Sequence, residues 1–338
     1  MRVTRIGIDL AKQVFQVHGV DRHGKVVIRK QLTRGKMRGF FAQLPSCLIG
    51  IEACASAHYW ARELSQFGHT VRLIAPQFVR PYRKNLKNDG NDAEAICEAV
   101  SRPNMRFVPV KSVAQQAVLT VHRARELLVG DRTALVNQMR GLLAEYGIVV
   151  PQGIARLRRV LPSVLEDAVN GLPVLAREVV AELQERLWDL DERIATYDRR
   201  IAPRARQSEA AQRLMQLEGV GAATATAIVA TIGDGKAFKN GRQFAAWLGL
   251  VPQQYSSGGR TRLGHISKRG NVYLRTLLIH GARSVLQLTG KRTDPKSRWA
   301  EQLKQRRGNN IAAVALAAKN ARIIWAMLAR GQEYRRAA

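Results

Sequence analysis

Apolar and polar positions change their period several times along the N-terminal third of the chain. Residues 5–9, Arg-Ile-Gly-Ile-Asp, form a short apolar run ending in an acid, which predicts a buried strand. Residues 14–20, Val-Phe-Gln-Val-His-Gly-Val, alternate as a half-buried strand does. Asp21-Arg22-His23-Gly24 has turn chemistry, and Val26-Val27-Ile28 begins a return strand. A helix is predicted from roughly Arg38 to Leu44. Leu48-Ile49-Gly50-Ile51-Glu52 is another apolar run ending in an acid. Ala57 to Phe67 reads as a helix stopped by Gly68, and Val71 to Ile74 as a strand ended by Ala75-Pro76. The pattern is a β-hairpin continued by βαβ units. In open sheets of that kind, ligands bind beyond the carboxyl ends of the strands, where Asp9 and Glu52 lie.

The rest of the chain is helical in period. One long helix is predicted from about 112 to 147, with Val121, Ala124, Leu128, Leu135, Met139, Leu142 and Tyr146 tracing one face and Gly147 and Pro151 ending it. Residues 151–172 read as a poorly periodic connector containing Pro151, Pro162 and Gly171. A second long helix runs from about 174 to 201. Its Leu175, Val179, Leu183, Leu187, Leu190, Ile194, Tyr197 and Ile201 repeat at intervals of three and four, a heptad-like seam. Such a seam suits an intramolecular helical hairpin or a dimer contact, and plain helical packing without chemistry is the favoured reading. Gly219-Val220-Gly221 falls between two helical stretches, as a plain tight turn or a helix-hairpin-helix turn whose backbone N–H groups approach phosphate. Residues 270–288 and 309–330 are further helices, and Trp299 and Trp325 are expected in a core.

The charged positions concentrate interest on Asn88-Asp89-Gly90-Asn91-Asp92, where a loop becomes a helix. Asp89 sits at or near the cap and Asp92 one turn on, so both side chains point the same way. Lys84 and Lys87 precede them, and neither neutralises both acids. Two carboxylates this close repel unless a cation lies between them, and Mg²⁺ is a hard ion with a preference for oxygen ligands. The alternative is an acidic first turn answering the helix dipole. Strand pairing that made Asp9 and Glu52 neighbours would add two more acids. A pair of Mg²⁺ ions about 4 Å apart, of the kind that clamps phosphodiester oxygens, would offset the repulsion of four.

Composition then sets the partner. The 338 residues carry a formal charge of +29, with Lys and Arg spread along the whole chain, so the expected partner is an extended polyanion, most simply nucleic acid. No run of about 18 apolar residues predicts a membrane span. The start, Met1-Arg2-Val3-Thr4-Arg5, has no signal-peptide pattern. Cys47, Cys54 and Cys97 are scattered, as suits a reducing cytoplasm better than a disulfide framework or a zinc site.

A second stretch with chemistry is Pro252-Gln253-Gln254-Tyr255-Ser256-Ser257-Gly258-Gly259-Arg260, followed by Arg262, His265, Lys268 and Arg269. Glycines allow close backbone approach, cations hold phosphate, and a serine there could attack a phosphodiester. No base lies nearby in sequence, so activation has to come from elsewhere in the fold. A flexible Ser-Gly-Gly turn is the alternative.

Gly-Ile-Asp-Leu-Ala-Lys, Gly-Ile-Glu-Ala-Cys and Asp-Gly-Asn-Asp-Ala, in this order, resemble the RuvC-like, ribonuclease-H-type Asp-Glu-Asp-Asp domain. More closely, the chain resembles the transposases of insertion-sequence family one-hundred-ten, related to the Piv and MooV invertases. Pro-x-x-Tyr-x-Ser-Gly followed by Ile-Ser-Lys-x-Gly is similar to the serine motif in that family's C-terminal domain. The resemblance implies that Asp9, Glu52, Asp89 and Asp92 bind Mg²⁺ or Mn²⁺. It implies that Ser257, with Ser256 as runner-up, forms a covalent 5′-phosphoserine. It further implies donor and target DNA, a structured noncoding guide RNA, a coiled coil, and a homo-oligomer, dimer or tetramer. The expected architecture is α/β plus all-α: a RuvC-like domain over 1–110, a coiled-coil linker over 111–205 and a mostly helical C-terminal domain over 206–338. The expected function is a cytoplasmic DNA transposase or recombinase. A Holliday-junction or other structure-specific nuclease is the first alternative, and a non-enzymatic nucleic-acid-binding protein the second.

Overall fold

A computed structural model describes residues 2–84 and 89–335; the side chain of Asp89 and all of Lys87 and Asn88 lie outside what it describes. The chain divides into two compact units, Met1–Ala114 and Gln115–Ala338.

The first unit opens with β1 (Arg5–Leu10), β2 (Val14–Val20) and β3 (Val26–Thr33), then α1 (Met37–Ala42), β4 (Leu48–Glu52), α2 (Ala57–Gln66), β5 (Thr70–Ile74) and α3 (Pro76–Val79). α4 (Asp89–Val100) and the short β6 (Phe107–Val108) complete it. The sheet has six strands in the order β3-β2-β1-β4-β5-β6. β1, β4 and β5 run parallel, and β2, β3 and β6 pair antiparallel to their neighbours. β6 escaped the sequence reading because two residues carry no period.

Alternation sends Ile6, Ile8, Ile49 and Ile51 to one face, fully buried with Phe41, Trp60 and Leu64. The opposite face is shaped by two glycines that pair across β1 and β4, Gly7 with Gly50. A Cβ on Gly7 would stand 2.1 Å from the carbonyl oxygen of Ala93, and one on Gly50 would stand 2.8 Å from the Cβ of Val100. α4 therefore lies directly on the backbone of these strands, closer than any side chain permits.

The second unit begins with α5 (Val113–Ala144), α6 (Ile154–Glu166) and α7 (Val174–Gln207). α6 corrects the expectation of an irregular connector. Leu157, Leu161 and Val164 are buried at helical spacing, although Pro162 sits inside the helix. Its terminal carbonyls are satisfied from α7, where the Arg177 guanidinium donates to Val164 O at 2.9 Å and Leu165 O at 2.7 Å. Arg125–Asp198 at 2.6 Å and Arg132–Asp191 at 2.9 Å match α5 and α7 in opposite order, so the two helices run antiparallel in one chain. The apolar face differs at its ends from the expected one. Leu143 is buried in place of Leu142, Tyr146 is exposed, and Leu175 is 73% exposed.

Six helices follow: α8 (Glu209–Met215), α9 (Ala222–Ile232), α10 (Gly241–Trp247), α11 (Val272–Leu286), α12 (Pro295–Arg307) and α13 (Asn309–Ala329). Between α10 and α11 lie two strands, β7 (Pro252–Gln254) and β8 (Leu263–Ile266), which pair antiparallel. α13 is long and apolar enough to cross a membrane by length and composition. Here Ala312, Leu316, Ala317, Ala321 and Ile324 are buried in the core shared with α9, α10 and α11. Trp325 is in that core, its indole donating to Phe238 O at 3.0 Å, and Trp299 packs beside it.

Candidate active site

The two glycines that seat α4 also aim the acids. Asp9 stands two residues beyond Gly7 and Glu52 two beyond Gly50, so both project to the α4 face at the carboxyl ends of adjacent parallel strands. Asp92, in the first turn of α4, is 6% exposed. Arg83 joins the group: its Nε donates to Asp92 Oδ1 at 2.9 Å and one terminal nitrogen to Glu52 Oε2 at 3.3 Å. Burial pushes the Glu52 pKa up, Arg83 pulls it down, and the Asp92 charge pushes it up again. The Cys54 thiol is raised by burial and then by the Glu52 and Asp9 charges, which places all three groups within electrostatic reach.

Sequence reasoning missed Arg83, which no motif marks out. Lys84, which it did consider, pairs with Glu94 at 2.5 Å. Among the described residues no group of three or more His, Cys, Asp or Glu side chains is arranged to hold a metal. Glu52 and Asp92 converge instead on the Arg83 guanidinium, a single positive charge between two carboxylates. The donor set suits a hard cation: all-oxygen, net negative, and partly withdrawn from water. Arg83 lies between these two carboxylates, so a cation held by both of them would have to displace the guanidinium.

Ser257 belongs to the second unit and sits at the tip of the β7–β8 ribbon. Arg260 N–H donates to Ser257 O at 3.0 Å, and Gly258 and Gly259 have φ of 54° and 77°. Two positive φ values at the centre of a four-residue turn define type I′, which accounts for the paired glycines without any appeal to flexibility. The loop read from the sequence is thus an ordered hairpin, and every residue from Gln254 to His265 is exposed. Tyr255 N–H donates to Arg262 O at 2.8 Å, and Tyr255 Oη to Gln253 Oε1 at 2.7 Å. Ser256 Oγ accepts from Gln254 Nε2 at 2.9 Å.

The Gly219-Val220-Gly221 turn does lie between helices, α8 and α9. Gly219, at φ 83°, is held by packing: a Cβ there would stand 2.8 Å from the backbone of Gly281 in α11. Gly221 precedes α9 with open space around it.

Residues 6–148 match a family model of DEDD-type transposases of IS110 elements, and residues 211–297 match the model described as "Transposase IS116/IS110/IS902 family". The DEDD match suggests a divalent metal ion. A "Probable family 20 transposase" of Pseudomonas aeruginosa is 57% identical over 336 residues, 99% of each chain. The "Transposase for insertion sequence element IS1111A" of Coxiella burnetii is 45% identical over 98% of this chain and 91% of its own length. The corresponding figures for the IS1328 transposase of Yersinia enterocolitica are 42%, 97% and 98%.

Proposed function

We propose that this chain, which belongs to the IS116/IS110/IS902 family of transposases, moves its insertion sequence by a serine-mediated, metal-assisted exchange of DNA strands. The observation that carries the reading is the Gly7–Gly50 register, which sets Asp9 beside Glu52 beneath Asp92. Asp9, Glu52, Asp89 and Asp92 would hold the ion, Mg²⁺ or Mn²⁺, which supplies Lewis-acid stabilisation of phosphodiester oxygens. The chain's own residues do the remainder. The rigid α4–sheet contact fixes the spacing of the carboxylates, and Arg83 neutralises Glu52 and Asp92 until the site is loaded. Ser257 is the nucleophile; its exposure at the end of a narrow ribbon suits a group that has to reach a strand. A noncoding guide RNA and a dimeric or tetrameric assembly belong to the same proposal. They rest on the resemblance to the family and on a charge excess large enough for two polyanions.

Asp9→Asn, Glu52→Gln, Asp89→Asn and Asp92→Asn are each expected to abolish strand exchange while leaving nucleic-acid binding intact. Ser257→Ala is expected to abolish a covalent protein–DNA adduct that denaturing electrophoresis traps in the wild type. Near wild-type recombination by Asp9→Asn and Asp92→Asn would falsify the four-acid site. Cleavage that survives Ser257→Ala, with no adduct in the wild type, would favour a plain structure-specific nuclease.

A further inference from the structure

The β7–β8 ribbon carries its side chains on two faces, and the pairing decides which residues share one. Gln254 pairs with Leu263, Tyr255 meets Arg262, and Ser257 meets Arg260. Cross-strand partners lie on the same side and successive residues on opposite sides. One face therefore carries Tyr255, Ser257, Arg260 and Arg262; the other carries Gln254, Ser256, Thr261 and Leu263. The two serines, equivalent as neighbours in sequence, are separated by this geometry. Ser257 shares its side with both guanidiniums, while Ser256 is on the far side and engaged by Gln254.

Among the described residues neither Arg260 nor Arg262 is in an ion pair, and residues 235–293 contain no Asp or Glu at all. Like charges two positions apart on one side of a strand repel, and nothing in the ribbon offsets this. Tyr255 does not shield them: its hydroxyl is tied back to Gln253, and its ring lies over Gly264. What the face presents is an exposed hydroxyl flanked by two planar, permanently charged donors. That is the complement of a single phosphodiester with two non-bridging oxygens.

We propose that Arg260 and Arg262 form a phosphodiester-binding site on the Ser257 face of the ribbon and act as catalytic residues of strand cleavage, contacting the non-bridging oxygens of the scissile phosphate. The proposal rests on Ser257 being the nucleophile. In the step, the Ser257 Oγ–P bond forms as the P–O3′ bond breaks. The serine proton leaves to solvent, and the departing 3′ oxygen takes up a proton, so charge and proton count balance. Negative charge builds on the non-bridging oxygens as the fifth ligand arrives, and guanidiniums already in place stabilise it without reorganisation.

The test uses the full-length protein assembled with its donor DNA, and with RNA where assembly requires it, and follows adduct formation in time. Arg260→Ala and Arg262→Ala are each expected to slow adduct formation by a factor of about 10²–10³, with DNA affinity changed far less and Arg→Lys intermediate. A methylphosphonate at the scissile position removes the charge the arginines compensate, so it is expected to restore the alanine variants toward the wild-type rate on the same substrate. Both substitutions are on an exposed ribbon, and unchanged circular dichroism checks the fold. A wild-type adduct with unaffected alanine variants, or slow variants that the methylphosphonate does not rescue, overturns the arginine assignment alone. No adduct in the wild type, with Ser257→Ala fully active, overturns the serine reading and this site with it.

Discussion

Glu52 shows how a single residue reconciles function with folding. Its raised pKa means that the ionised carboxylate is less favourable in the folded chain than in the unfolded one, burial being the largest cause. The destabilisation is absent below the ordinary carboxylate range and is fully present once pH has risen through the raised value. Glu52→Gln is therefore expected to raise the melting temperature of the metal-free protein at neutral pH while abolishing strand exchange. A melting temperature that falls would show that the Arg83 ion pair outweighs burial. Arg83 holds the corresponding balance from the other side. It bridges Glu52 and the nearly buried Asp92, and its removal leaves two acids facing each other.

Among the elements, α4 and its two strands depend on the absence of side chains. Gly7→Ala puts a methyl group 2.1 Å from a backbone oxygen, so the helix has to lift off β1. The expected loss is about 1–3 kcal/mol or more in unfolding free energy, measured by denaturant titration. Because Asp92 rides on the same helix, the variant is also expected to lose strand exchange before it loses nucleic-acid binding. Unchanged stability would mean that α4 is not seated on the sheet in solution. In the second unit, His122 of α5 joins three helices. Thr226 Oγ1 donates to Ala222 O, so it accepts from His122 Nε2 at 3.0 Å, and the Tyr273 hydroxyl donates to His122 Nδ1 at 3.0 Å. This pairing needs the neutral ring, and burial lowers the His122 pKa to about 4 from the ordinary 6.5. A depressed histidine contributes stability that is complete above 6.5 and declines as pH falls from there toward 4. The urea midpoint of the wild type is expected to fall over that window, and His122→Gln to flatten the dependence. An equal slope in the variant would assign the acid sensitivity to other groups.

For the molecule as a whole, the +29 charge is a property of solution behaviour and not of the fold. Affinity for DNA or RNA is expected to fall by a factor of about 10³ between 50 and 200 mM salt if about six phosphates are contacted. A flat response, read by fluorescence anisotropy, would remove the polyanion reading.

The sequence determined by itself whatever depends on period and residue type. The buried strands at Ile6-Gly7-Ile8 and Ile49-Gly50-Ile51, the two long helices, the acids at strand ends and the serine before two glycines were legible, because each is a local pattern. Only the tertiary structure decided what depends on register and approach. The antiparallel α5–α7 match of Arg125 with Asp198 puts an intrachain hairpin there, and spacing alone had left that open. α6 was hidden because Pro162 outweighs three well-spaced apolar residues until the Arg177 cap is in place. Arg83 could not be found because its partners lie 31 and 9 positions away along the chain. Ser256 and Ser257 differ only once strand pairing sends alternate residues to opposite faces, since a register is a relation between two segments and neither segment encodes it alone.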